Sequence, residues 1–180
     1  IAEADRIVVL QEDALRHLPA VRRPNASVVV QSARTLVPWA RKSATRLNAI
    51  LVGHLRDEKD PRTALAAWRL LPSDVPATLT IVGAALDPAI ADDVRAAVAA
   101  DSRVRWLGAR PHAWTRQAIR RAHVLVVASR MEGGANVVAE ALASGTPVIG
   151  TRMSGNLGML GADYPGYFEV GDAAGLATAI

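Results

Sequence analysis

The chain has no cysteine, which excludes a disulfide framework and any thiolate metal site. Aromatic residues make up only 4% of it, with a single Phe and two Tyr. There is therefore little material for stacking nucleobases, and with no nucleic-acid motif present, nucleic acid is not an expected partner. The four histidines are scattered without metal-ligand spacing, and no metal is expected. No apolar run reaches the ~18–20 residues of a membrane span. No signal peptide is visible, so a cytoplasmic location is the expectation. A Walker loop, a Gly-x-Gly-x-x-Gly turn and a Ser/His/Asp arrangement are all missing from the sequence, as are internal repeats.

What remains is ordinary globular material. Of 180 residues, 51% are apolar and 21% charged, enough for a sizeable core in one domain, or one and a fraction. The net charge of +4 is unevenly placed: residues 1–50 hold 8 Lys/Arg against 4 Asp/Glu, while the rest balances. A basic first segment facing an anionic substrate is the expectation. The sequence opens on Ile1 and closes on Ile180 inside an apparent helix, which reads as a piece of a longer chain.

Taken in order, Asp5–Leu10 reads as a strand, Gln11–Leu18 as a helix stopped by Pro19, and Ser27–Val30 as a second strand. Such a unit is too small to bury its own faces. Residues 31–47 carry five basic and proline positions without periodicity and read as a linker, with Trp39 as its anchor. From Asn48 the rhythm is regular. Strands are expected at 48–53, 78–83, 104–108, 123–129, 147–151 and 167–170. Helices are expected at 61–71, 88–100, 115–122, 136–144 and 155–160, with one more capped by Asp172. Asp60-Pro61 and Asp87-Pro88 each pair an N-cap with proline at the first helical position. Alternation at this spacing predicts an α/β, doubly wound parallel sheet of Rossmann-like type. Ligands of such sheets sit beyond the carboxyl ends of the strands, where the strand order reverses.

Ser129 to Gly145 is the centre of the chain. A buried Val/Leu strand leads into Glu132-Gly133-Gly134-Ala135-Asn136, then a helix with Glu140 one turn in and Gly145 as its stop. Two glycines in tandem let backbone N–H groups approach a ligand. A helix N-terminus adds unpaired donors and the positive dipole end, a phosphate-binding geometry. Asn136 and Glu140, four apart, share a helix face. One carboxylate at the loop, donors in the middle and a second carboxylate beyond suit a nucleotide sugar.

Glu132 and Glu140 within this setting, with Glu-Ala-Leu-Ala-Ser-Gly-Thr-Pro-Val-Ile after them, resemble the signature of the GT-B glycosyltransferases of group 1, also called family 4. Gly53-His54-Leu55-Arg56-Asp57-Glu58-Lys59 resembles the family loop whose Arg and Lys hold the donor diphosphate. Lys59 falls on the family lysine; His54 stands where the family usually has arginine, and Arg56 is near enough to restore the charge. Trp106 to Arg110 resembles the stretch that pairs with the donor base.

The resemblance covers 48–180 as a C-terminal nucleotide-sugar-binding domain. Residues 1–47 are then the end of an N-terminal acceptor domain plus an interdomain linker. It implies a glycosyltransferase using a UDP-sugar as co-substrate, with no cofactor. Glu132, Gly133, Gly134, Ala135 and Asn136 would bind sugar and diphosphate. Glu140 would bind the ribose. Lys59, with Arg56 or His54, would stabilise the leaving diphosphate beside Gly53. Gly-His-Leu-Arg-Asp-Glu-Lys-Asp-Pro, Met-Glu-Gly-Gly-Ala-Asn-Val-Val and Gly-Met-Leu-Gly-Ala-Asp-Tyr-Pro-Gly-Tyr-Phe together look like the bacterial selenosugar synthases of selenoneine biosynthesis. That implies UDP-GlcNAc or UDP-glucose as donor and a small anionic acceptor, selenophosphate. Two other readings stay open: a nucleotide-sugar-binding module without transfer, and an epimerase or hydrolase of GT-B architecture. His112 and His123 read as structural, Ser129 as a donor to the diphosphate or a turn cap, and Ser154-Gly155-Asn156 as facing the sugar.

Overall fold

The computed structural model describes residues 4–35 and 40–180; Trp39, expected as the linker's anchor, lies outside them. The main body is a six-stranded parallel sheet. Its strands are β3 (Leu47–Val52), β4 (Ala77–Val82), β5 (Val104–Trp106), β6 (Val124–Val127), β7 (Val148–Thr151) and β8 (Tyr167–Phe168). They lie in the order β5-β4-β3-β6-β7-β8. The chain builds outward from β3 to one edge, then returns to β6 and builds to the other. The reversal therefore falls between β3 and β6.

Alternate residues along each strand feed two cores, as the pleat requires. Leu51, Leu79, Ile81 and Val126 point to the face covered by α1 (Pro61–Leu70), α2 (Pro88–Ala100) and α6 (Ala173–Ala179). Ile50, Leu125 and Val127 point to the opposite face. There Ile119 of α3 (His112–Arg121) and Val138 of α4 (Asn136–Ala143) meet them, and α5 (Ser154–Leu160) completes the layer. Trp68, 1% exposed, is the largest fully buried side chain among the described residues. Truncating such a residue costs about 3–5 kcal/mol.

Both cap-and-proline devices form. Asp60 accepts from the Thr63 N–H at 3.2 Å, and Asp87 accepts from the Ala89 and Ile90 N–H groups. Gly145 ends α4 in the left-handed region at φ 66°, where Cβ-free glycine costs nothing. Helix α3 starts three residues before the expected Thr115, because Pro111 precedes it and no side chain caps it. The α5 helix begins at Ser154, and β5 and β8 are shorter than expected.

The first segment departs further. The expected helix after β1 (Ile7–Val9) is a 3₁₀ turn over Glu12–His17, and a second one, over Ala20–Asn25, contains Pro24. Both make i→i−3 rather than i→i−4 bonds. The second strand, β2 (Ala26–Val28), pairs parallel with β1 one residue earlier than expected. Val29 and Val30 are consequently left exposed. The basic stretch after it has no regular structure among its described residues. It is tied to the sheet through His123, which accepts from the Asn48 N–H at 2.9 Å and donates to the Ser43 carbonyl at 2.8 Å. His123 is structural, as expected.

Candidate functional site

Since β3 and β6 are neighbours, the loops leaving their carboxyl ends face each other. Between them lies a cleft of about 410 Å³, lined by Gly53, His54, Arg56, Lys59, Arg110, Glu132, Gly134, Ala135 and Asn136 among others. Nine of the expected residues thus come together. Gly133 and Glu140 are not among the lining.

The loop after β3 is a 3₁₀ turn over Asp57–Lys59 that ends in Asp60. Asp60 takes φ 42°, ψ 56°, a left-handed conformation that costs a non-glycine residue about 1–2 kcal/mol. It is retained because its carboxylate, 2% exposed, accepts from the Thr63 N–H and from the Thr63 hydroxyl at 2.8 Å and forms an ion pair with the Arg130 guanidinium at 3.0 Å. The Lys59 stem lies over Gly53, where a Cβ would meet it at 3.2 Å. Lys59 Nζ then reaches Glu132 Oε1, which also accepts from the Ser129 hydroxyl at 2.9 Å. Ser129 therefore orients the carboxylate. The pair is largely buried, at 17% and 12% side-chain exposure, so losing either member leaves an uncompensated charge.

His54 accepts from the Ala84 N–H through Nδ1 at 3.0 Å. The neutral ring must then carry its proton on Nε2, which makes it a hydrogen-bond donor at the cleft. Arg56 is half exposed and lies 3.8 Å from Glu58. Gly83 is glycine for a packing reason: a Cβ there would lie 1.9 Å from the Gly53 carbonyl oxygen. Arg110 stacks 5.8 Å above the Trp114 ring.

The loop after β6 leads into α4, whose N-terminus has no side-chain cap. Its first N–H groups are orphan donors beside Lys59. The tandem glycines differ in role. Around Gly133 a Cβ would meet nothing within 4 Å, whereas at Gly134 it would press on Leu10 and on Gln31 Oε1 at 3.1 Å. The need for glycine at 134 comes from the first segment packing there, a contact across the chain that local sequence does not reveal.

Glu140, 10% exposed in its side chain, is held at Oε1 by His112 Nε2 at 2.5 Å. His112, expected to be structural, is the group that holds this candidate site residue. Asn156, by contrast, is fully buried and donates back to Thr151, and Gly155 abuts the Glu132 carbonyl. These residues brace the site rather than face it. Among the described residues no group of three or more His, Cys, Asp or Glu side chains could hold a metal ion. No helix there is long and apolar enough to cross a membrane.

A profile described as "Glycosyl transferases group 1" matches residues 46–180. Among curated proteins none matches the chain significantly. Solved structures resemble it in fold. The lipopolysaccharide outer core galactosyltransferase WaaB does so at a TM-score of 0.75 and 21% identity, over 100% of this chain and 54% of that one. Anabaena HepE in complex with UDP gives 0.81 at 16% identity, over 97% and 52%. Sucrose-phosphate synthase from Thermosynechococcus elongatus gives 0.78 at 24% identity, over 98% and 48%. The chain thus spans about half the length of the solved structures it matches.

Proposed function

The chain belongs to the group 1 glycosyl transferases, and from that premise we propose that it is the donor-binding half of an enzyme that moves a sugar from a UDP-sugar to an acceptor. The observation that carries this is the meeting of Lys59 and Glu132 across the switch point of the sheet, beside the uncapped N-terminus of α4. Residues 1–47 would be the end of an acceptor-binding domain and its linker. The exposed Val8 of β1, the exposed Val29 and Val30 that follow β2 and the shortness of that two-stranded sheet support this.

The chemistry follows from charge. As the bond between the sugar's anomeric carbon and the β-phosphate oxygen breaks, its electron pair moves onto the diphosphate. The acceptor's nucleophilic atom bonds to that carbon, and the nucleoside diphosphate leaves. Lys59, the Nε2–H of His54, Arg56 and the first N–H groups of α4 are preorganised for that growing negative charge. A diphosphate arriving there competes with Glu132 for Lys59, which releases Glu132 to accept from sugar hydroxyls. Glu140 takes the ribose hydroxyls. The HepE complexes with UDP and UDP-glucose favour uracil as the base. The acceptor is small and anionic, drawn by the basic first fifty residues. Selenophosphate, which the likeness to selenosugar synthases implies, is the specific candidate.

Thermal shift of the full-length protein with UDP, GDP, ADP and NAD tests the donor half. Stabilisation by UDP above the others is expected, and stabilisation by NAD alone overturns it. Product formation from UDP-GlcNAc or UDP-glucose that requires selenophosphate is the expected result for the acceptor. Turnover with an unrelated acceptor, or release of free sugar with none, overturns that assignment.

A further inference from the structure

Arg130 belongs to no expected site and does not line the cleft, yet it makes two contacts to the opposite loop. Its backbone N–H donates to the Glu58 carbonyl at 2.8 Å. Its Nε lies 3.0 Å from Asp60 Oδ2. Glu58 and Asp60 flank Lys59, and Arg130 lies two positions before Glu132. Both members of the Lys59–Glu132 pair are thus held by their immediate neighbours through one residue. The Asp60 end of this fastening is 2% exposed, while the guanidinium is half exposed at 50%. Its charge is compensated by Arg130 and by two hydrogen bonds from Thr63. Asp60 also adopts the sole left-handed non-glycine conformation among the described residues, so the turn carrying Lys59 relies on these outside contacts for its shape.

We infer that Arg130 is a positioning residue for diphosphate binding: without touching the donor, it fastens the loop after β3 to the loop after β6 and so fixes where Lys59 meets Glu132. The inference rests on the nucleoside-diphosphate reading of the cleft. A guanidinium is suited to the role, because it stays charged at any working pH and is less strongly hydrated than an ammonium. When it is lost, the Asp60 carboxylate remains buried with only the Thr63 bonds, and the 57–60 turn relaxes. Lys59 then samples positions in which it no longer faces the diphosphate.

Calorimetric titration of the full-length protein with UDP and with uridine tests this, on wild type, Arg130→Ala, Lys59→Ala and the double variant. Arg130→Ala is expected to weaken UDP about tenfold and leave uridine unchanged, since only the diphosphate end depends on the loop. In the Lys59→Ala background, Arg130→Ala is expected to add little, because the two act through one contact. Arg130→Lys, which can still reach Asp60, is expected to recover part of the loss. Should Arg130→Ala not fold, Arg130→Lys and Arg130→Gln are read against uridine in the same way. Unchanged UDP affinity, an equal loss for uridine, or losses that add fully in the double variant each overturn the positioning role. Wild type that binds no UDP removes the nucleotide reading and this inference with it. Wild type that binds UDP, with Arg130→Ala binding it as tightly, removes this inference alone.

Discussion

Lys59 and Glu132, 73 residues apart in the chain, form an ion pair at the reversal of a parallel sheet. Each is the other's nearest opposite charge in a site where both are expected to serve a ligand. The pair stores the site in a neutral arrangement and sets opposite signs for their substitutions.

Replacing Lys59 by Ala removes the cation aimed at the diphosphate. A charge-assisted hydrogen bond contributes about 1.5–3 kcal/mol, so UDP affinity is expected to fall about 10- to 100-fold. Glu132→Gln releases Lys59 from its competitor, and UDP affinity is expected to rise about threefold while turnover of the UDP-sugar falls. Calorimetry with UDP beside a steady-state assay separates the two. A loss of UDP affinity in both variants contradicts the competition.

The fixed ring of His54 gives a second test. Asn at 54 can accept from the Ala84 N–H as Nδ1 does but offers no donor where Nε2 stands. His54→Asn is expected to keep the melting temperature and to weaken UDP by about threefold to tenfold, the magnitude of one hydrogen bond. A melting temperature that falls with unchanged UDP affinity would make His54 a loop brace only.

The two glycines of the bend are expected to part company. Gly133→Ala meets open space and is expected to change stability by no more than about 0.5 kcal/mol. Gly134→Ala must push against Leu10 and Gln31, costing about 1–3 kcal/mol as overpacking does. Urea denaturation of the two single variants measures the contrast.

Much of this fold follows from local pattern. Asp60-Pro61 and Asp87-Pro88 announce helices because cap and proline act within four residues, and buried parallel strands announce themselves by unbroken Val, Leu and Ile. The family resemblance of their two loops singles out Lys59 and Glu132, and the switch-point rule agrees with placing both after strands of the sheet. Contacts between distant segments were not legible. Arg130 looks like a solvated charge until the partner loop is beside it, and the need for glycine at 134 arises from Leu10. The helix expected from Thr115 begins at His112, because Pro111 sets the helical entry without any side-chain bond. The first 3₁₀ turn, Glu12–His17, shares the composition of an α-helix, while the second carries Pro24, which has no N–H to donate.

A pH prediction comes from the far end of the sheet. The Arg103 guanidinium, donating to both oxygens of Asp101, holds that carboxyl below its ordinary value against the opposing effect of burial. A lowered native pKa contributes stability that is complete above the unfolded value of about 3.9 and is lost as pH falls through the native one. Arg103 also donates to the Pro72 carbonyl at 2.7 Å, so the pair joins β5 to the end of α1. Asp101→Asn is expected to melt a few degrees lower at pH 7, with the gap to wild type closing below about pH 4. A gap that stays constant over that range contradicts the assignment.

Gly134 packs against Leu10 and Gln31, and at Gly155 a Cβ would lie 2.2 Å from the Glu132 carbonyl oxygen. The bend is therefore held by parts of the chain that precede and follow it. A shift of the opening segment by even an ångström would be delivered to the sugar end of the cleft as a direct steric push, giving whatever the first strands hold a mechanical say in the shape of the donor's seat.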